Sequence, residues 1–536
     1  MKPFINNKLE DRLEELANRN QQQGIKQKFS KNTQRVEKYA IDLHDICFDF
    51  SKTHLDEDLL SAYLEIAENA NIQTKTQEFL SGVKINATEQ RSVLHTLLRD
   101  SNNQGISMVD EAFTNEAERS RQQFVEKLAA ISLQLEERTN PITDVIHVGI
   151  GGSSLGTQLL YQALKGLGDS RKIHFIGNID AHQLVDVLDQ CDPKTTLVIG
   201  VSKTFTTAET LKNLDSIASW YQSSDIEKPL EYFYGVTANA SAAKQYGLNL
   251  ENIVTFPTWV GGRYSVWSSV SLSAALILGS DKFGEFLSGA ALMDQHFYQA
   301  PLASNVCFLA ASLDHFYANY MNISSKAIFA YDYRLRSLVD YLQQLETESN
   351  GKDRHRDGSP ATCKTSMVIW GGIGTEVQHS VFQMLHQGTS LIPAEFILVT
   401  RPDHNYADHH NELLANGIAQ SAALLEGQDK ETVERLHAAD ELSELTMNAK
   451  VFSGDRPSTT ILLNQLTPAS LGSLLAFYEH RVFFGGLLSD INSFDQMGVE
   501  LGKRLANEVG PLIENAKISN TSFDPSTESL LKKITS

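Results

Sequence analysis

The chain has 536 residues, of which 41% are hydrophobic and 21% charged, with 33 glycines and 13 prolines. This composition excludes disordered, collagenous and low-complexity classes, and the length admits about two to four domains whose cores need no disulfide or metal staple. With 46 Lys and Arg against 66 Asp and Glu, the net charge of −20 argues against a general nucleic-acid or membrane-surface binder. The amino terminus, MKPFINNKLEDRLEELANR, is too polar for a signal peptide, and no run of about 18 apolar residues offers a membrane span. Cys47, Cys191, Cys307 and Cys363 contain no CxxC pair and form no disulfide framework, so the expectation is a cytoplasmic protein of a reducing compartment.

From about residue 8 to 140 apolar residues recur at three- and four-residue spacing, as in DRLEELANR and EDLLSAYLEIAENA, which predicts helices. At Asp144 the period changes. DVIHVGI (144–150) is a short apolar run ending in glycines, and the helical pattern LGTQLLYQALKGL follows it. KIHFIGNID, TTLVIGVSK, EYFYGVTA and NIVTFP then alternate with amphipathic stretches, the signature of βαβ units and a parallel sheet. About 264–345 reads as helical. TSMVIWGGIGTEVQHSVFQMLHQG (365–388) repeats the strand, glycine turn and helix pattern, and EFILVTR and TTILLNQL supply later strands. The expected fold is α/β with two doubly wound parallel-sheet lobes, a helical segment at 1–115, lobes at 116–285 and 286–505, and an arm at 506–536.

Strand-to-helix turns carry the chemistry in such folds, because glycine-bared N–H groups and a helix N-terminus attract anions. In GIGGSSLG (149–156), Ser154 stands where a dinucleotide motif needs its third glycine, and no Walker lysine is present. The turn therefore suits a monophosphate or sugar hydroxyls, although a structural turn fits it equally. SKTFTTAET offers Ser202, Lys203, Thr204, Thr206 and Thr207 to a phosphate, or else a helix cap with Glu209 as capping-box partner. VGGRYS, ESNGK and FDQMGVELGK each read singly as ordinary turns around Arg263, Glu348 and Lys503. The His404, Asp408, His409, His410 cluster matches no standard metal-ligand spacing, and Asp408 is read as an N-cap.

Taken together, KINATEQRSVLHTLLRD (84–100), GIGGSSLG, SKTFTT, VGGRYSVWS, ESNGK, GTEVQHSVFQMLHQGT, DRPSTTILL, YEHRVFFGG and FDQMGVELGK resemble the glucose-6-phosphate isomerase family over nearly the whole chain. The resemblance implies two sugar-isomerase lobes, a homodimer, a sugar-phosphate substrate, no cofactor and no metal. It implies the reversible conversion of glucose 6-phosphate to fructose 6-phosphate through ring opening and an enediolate. The catalytic set it implies is Glu348 as proton-transfer base, His379 with Lys503 for ring opening, and Arg263 beside the enediolate oxygen. Ser202, Lys203, Thr204, Phe205, Thr206 and Thr207, with Gly152 and Ser153, would hold the phosphate, and Gln344 and Gln496 the sugar. Ser154, Thr157, Thr258, Thr347, Glu376 and Met497 depart from the family's common residues, and none of them is one of these groups. A non-catalytic sugar-phosphate sensor would have no need of Glu348, and a nicotinamide-dependent dehydrogenase is disfavoured by Ser154.

Overall fold

The computed structural model describes residues 2–99, 109–440, 442–515 and 523–535. Asp100, which ends the 84–100 segment, and residues 516–522 of the expected arm lie outside them. The first sheet has five parallel strands, β3 (Asp144–Val148), β4 (Lys172–Ile176), β5 (Thr196–Val201), β6 (Phe233–Thr237) and β7 (Ile253–Thr255), in the order β4-β3-β5-β6-β7. Every residue of β5 is buried, as a strand covered on both faces by crossover helices must be. The order reverses between β3 and β5, so the crevice for a ligand opens at their carboxyl ends.

The second sheet is mixed. It contains β1 (Ala40–Leu43), β2 (Ile46–Asp49), β8 (Ser325–Tyr331), β9 (Val368–Ile373), β10 (Ala394–Arg401) and β11 (Ser458–Gln465) in the order β1-β2-β11-β10-β8-β9. The strands from β8 to β11 run parallel, while β2 pairs antiparallel to β11 and β1 antiparallel to β2. Two features differ from the expectation. The amino-terminal segment contributes the β1–β2 hairpin, whose two-residue turn His44-Asp45 lacks the Asn-Gly or Asp-Gly signal, His44 taking φ 53° instead. The stretch read as helical from 264 to 345 contains β8, because a short buried apolar run has no period that separates strand from helix.

The helices Leu272–Gln299, kinked at Gly279, and Val306–Asn319 both pack on Pro468–Leu488, whose Arg481 reaches Glu395 of the second sheet. Pro468–Leu488 is buried all round, with Pro468 in its first turn and a Thr467–Ser470 capping box. Its charged residues sit in two buried networks. Arg99 pairs with Asp294 at 2.9 Å and with Glu479, while Arg481 and Lys326 each lie 3.2 Å from Glu395. The chain divides into two units, residues 1–493 and 494–536, and the second contains the helices Glu500–Asn515 and Pro525–Thr535. Among the described residues, no helix is long and apolar enough to cross a membrane.

Candidate active site

At the carboxyl end of β3 the chain turns through Gly149–Ser154 into the helix Leu155–Leu164. Gly151 adopts φ 57°, and a Cβ there would stand 2.9 Å from Gln344 Nε2. A side chain on Gly152 would collide with the backbone of Gly262. The glycines thus let this turn meet both the VGGRYS segment and the glutamine predicted to hold the sugar. Ser265 Oγ donates to the Gly152 carbonyl at 3.1 Å and closes the same contact. From below, His147 Nε2 lies 2.7 Å from the Ser153 carbonyl and Nδ1 2.8 Å from Ser273 Oγ. A carbonyl only accepts, so Nε2 carries the proton. Burial holds the His147 pKa down to about 4, which keeps the ring neutral.

The second turn follows β5. Ser202 Oγ lies 2.9 Å from Thr207 Oγ1 and accepts from the Phe205 N–H at 3.1 Å, and Thr206 Oγ1 donates to Thr204 Oγ1 at 2.7 Å. Phe205 is a non-glycine residue at φ 53°, held there because its ring is buried in the core of the first sheet. Thr207 is the N-cap of the helix Ala208–Gln222, yet its side chain caps nothing and no capping box with Glu209 forms. The first-turn amides of a 15-residue helix therefore carry no side-chain cap, as an anion site requires. Lys203 Nζ donates to the Val260 carbonyl at 2.8 Å and so ties this turn to VGGRYS. Its pKa falls to about 8, first through burial and then through the charge of Arg91. Arg91, in the 84–100 segment, is a cation near the turn that sequence reading did not single out.

Glu348 lies in the last turn of the helix Leu338–Asn350, on the same face as Gln344 four residues before it. Gln344 Nε2 donates to Glu348 Oε2 at 2.9 Å, and Arg263 Nη1 lies 3.6 Å from the same oxygen. The Arg263 side chain is 3% exposed and that of Glu348 23%, so the cation is fixed while the carboxylate remains reachable. Arg263 Nε donates to Ser349 Oγ at 2.7 Å and Nη2 to the Ser493 carbonyl at 2.6 Å. Tyr264 Oη lies 2.8 Å from Ser349 Oγ, and burial raises its pKa, so the phenol keeps its proton. Ser349 and Tyr264 are buried supports that sequence reading missed, although each adjoins a residue it identified.

The other expected site residues belong to other elements. His379 is exposed and ends a single 3₁₀ turn, Glu376–His379; the α-helix begins at Phe382. Among the described residues, no hydrogen bond or ion pair joins His379 to Glu348 or Arg263. Lys503 and Gln496 belong to the second unit, where Lys503 Nζ lies 3.3 Å from Glu500. His404, Asp408 and His409 are exposed, and His410 is buried with Nε2 2.9 Å from the Thr400 carbonyl. Tyr406, not Asp408, is the N-cap there. The substitution at Thr157 is accommodated by a buried hydroxyl that donates to the Val270 carbonyl at 3.2 Å.

Residues 49–531 match the family model described as phosphoglucose isomerase. A glucose-6-phosphate isomerase of Sphingopyxis alaskensis is 41% identical over 500 residues, 93% of each chain. One of Francisella tularensis subsp. tularensis is 39% identical over 521 residues, 95% of this chain and 96% of the relative. Among solved structures, a glucose-6-phosphate isomerase from Chlamydia trachomatis superposes with a TM-score of 0.85 at 29% identity, covering 99% of both chains.

Proposed function

The chain belongs to the phosphoglucose isomerase family, whose members are aldose–ketose isomerases that interconvert glucose 6-phosphate and fructose 6-phosphate, and we propose how its side chains divide that work. The first-lobe turns, Gly152–Ser153 and Ser202–Thr207, hold the phosphate dianion with bare amides, hydroxyls and Lys203. Gln344 and Gln496 hold sugar hydroxyls. His379 and Lys503 serve ring opening, donating a proton to the ring oxygen and accepting one from the C1 hydroxyl. In the open chain Glu348 takes the proton from C2 and returns it at C1, and Arg263 faces the oxygen on which enediolate charge develops. Proton transfer of this kind needs a base, an acid and a cation but no redox partner. Arg263 supplies its charge at a site already desolvated, where one such donor is worth about 3–4 kcal/mol.

The observation that supports this most is the reachable carboxylate of Glu348, 3.6 Å from an arginine locked by Ser349 and Ser493. The two sheets support a division into a phosphate-holding lobe at 116–285 and a lobe carrying Glu348 at 286–505, flanked in sequence by 1–115 and 506–536. We also propose a cytoplasmic homodimer; sedimentation at monomer mass would remove that element. The enzymatic reading is tested by NMR with glucose 6-phosphate in D₂O and a chelator, where fructose 6-phosphate should appear with deuterium at the carbon that receives the proton. Glu348→Gln should cut kcat by about 10²–10⁴-fold while sugar-phosphate binding survives. Equal loss of binding and turnover would make Glu348 a structural residue instead.

A further inference from the structure

The strand-start end of the first sheet, opposite the end that bears the phosphate turns, carries a cluster of different chemistry. The β3–β4 register sets Asp144 beside Lys172 and Ile146 beside His174, so Asp144 and His174 share one face. His174 Nε2 lies 2.8 Å from Asp144 Oδ1, and Asp144 Oδ2 accepts from Thr143 Oγ1 at 2.7 Å. Cys191 lies between the helix Ala181–Leu188 and β5. The sulfur, an imidazole nitrogen and a carboxylate oxygen all lie within 4.8 Å of one another, and all three residues are half-buried. Nothing in the isomerisation uses them.

We propose that Asp144, His174 and Cys191 form a binding site for a thiophilic divalent cation of the Zn²⁺ class. One nitrogen, one sulfur and one oxygen are the donors of a three-ligand tetrahedral zinc site, whose fourth position is left to solvent. The sulfur selects against Mg²⁺ and Ca²⁺, which take oxygen ligands. Binding replaces the His174–Asp144 hydrogen bond by two coordinate bonds: Nε2 gives its proton to solvent while Nδ1 takes one up, so the ring stays neutral, and the Cys191 thiol releases its proton to solvent as the sulfur–metal bond forms. Carboxylate, thiolate and dication then sum to zero charge, so the half-buried site holds no net ion. The Thr143 hydroxyl on the second Asp144 oxygen is an outer-shell partner of the kind that orients a ligating carboxylate. The cation would link β3, β4 and the approach to β5, fastening the base of the lobe whose top holds the phosphate turns.

The full-length protein, stripped of metal by a chelator, is titrated with Co²⁺. One equivalent should give thiolate-to-cobalt charge-transfer absorption that Zn²⁺ abolishes, absent in Cys191→Ser and His174→Ala and kept in Cys47→Ser. No such band, or a band that survives Cys191→Ser, overturns the proposal. A second reading needs no variant: Zn²⁺ should shield Cys191 of the wild-type protein from iodoacetamide, scored by peptide mass, and should raise the Tm. Alkylation of Cys191 at the same rate with and without Zn²⁺ overturns the proposal as well.

Discussion

Ser349 has a buried hydroxyl with two neighbours to satisfy. It accepts from Arg263 Nε at 2.7 Å and meets Tyr264 Oη at 2.8 Å. Ser349→Ala leaves both without that partner, and unmade bonds to a buried charged group cost about 1–3 kcal/mol. We expect kcat to fall about tenfold to a hundredfold while KM changes little, because Arg263 loses aim and the turn proposed to hold the phosphate is untouched. A normal kcat would mean that the guanidinium is held without Ser349. Lys203 gives a second prediction. Its pKa near 8 lies below the ordinary lysine value, and an arriving phosphate dianion favours the ammonium form, so binding at pH 8–9 should take up a proton. Calorimetry in buffers of different ionisation enthalpy should show this uptake, and Lys203→Met should remove it. Glu348 and Arg263 were legible as residues because each sits in a distinctive short motif, whereas Gln344 came only with the family resemblance. Ser349 and Tyr264 were not legible, since a support is defined by its contacts, and contacts across 85 residues or more leave no local signal.

At the scale of elements, the two turns proposed to hold the phosphate lie at the carboxyl ends of β3 and β5, where the strand order reverses. The hydroxyls of Thr204 and Thr206 satisfy each other at 2.7 Å on an exposed turn, and a phosphate would replace that bond with stronger charge-assisted ones. Thr206→Ala should therefore raise KM for glucose 6-phosphate about tenfold with kcat nearly unchanged, as loss of ground-state binding does. An unchanged KM would remove the turn from the phosphate site. Alternating strands and helices were readable where a Gly or Ser/Thr turn follows the apolar run, as in GIGGSSLG and SKTFTT. SKAIFAY is followed by no such turn, and its apolar run has no period that separates it from the helical pattern around it. His379 shows the opposite limit: its motif was recognisable, yet its place at the end of a 3₁₀ turn depends on how the chain leaves β9.

The whole molecule stores neutral imidazoles in its interior. Burial lowers His54 and His315 to about 3 and His147 and His296 to about 4. In the unfolded chain these groups titrate near 6.5, so between that pH and about 4 the unfolded state binds more protons than the folded one. Stability is then complete above about pH 6.5 and drains away as pH falls. Thermal melts should show Tm dropping steadily from pH 7 to 5, and a flat Tm over that window would show that the rings are hydrated or paired with acids.

The pairing of β2 with β11 joins positions about 400 residues apart, so a ribosome adding roughly 5–20 residues each second finishes the hairpin roughly 20–80 s before its neighbour exists. An isolated two-strand ribbon is marginal in water, so the early hairpin waits without a template. When β11 does emerge, the hairpin covers a flank that would otherwise be a bare edge, open to strands of other chains. Nascent chains are thus most vulnerable at the end of synthesis, and removing the first 50 residues would yield a protein that clumps before it fails to catalyse.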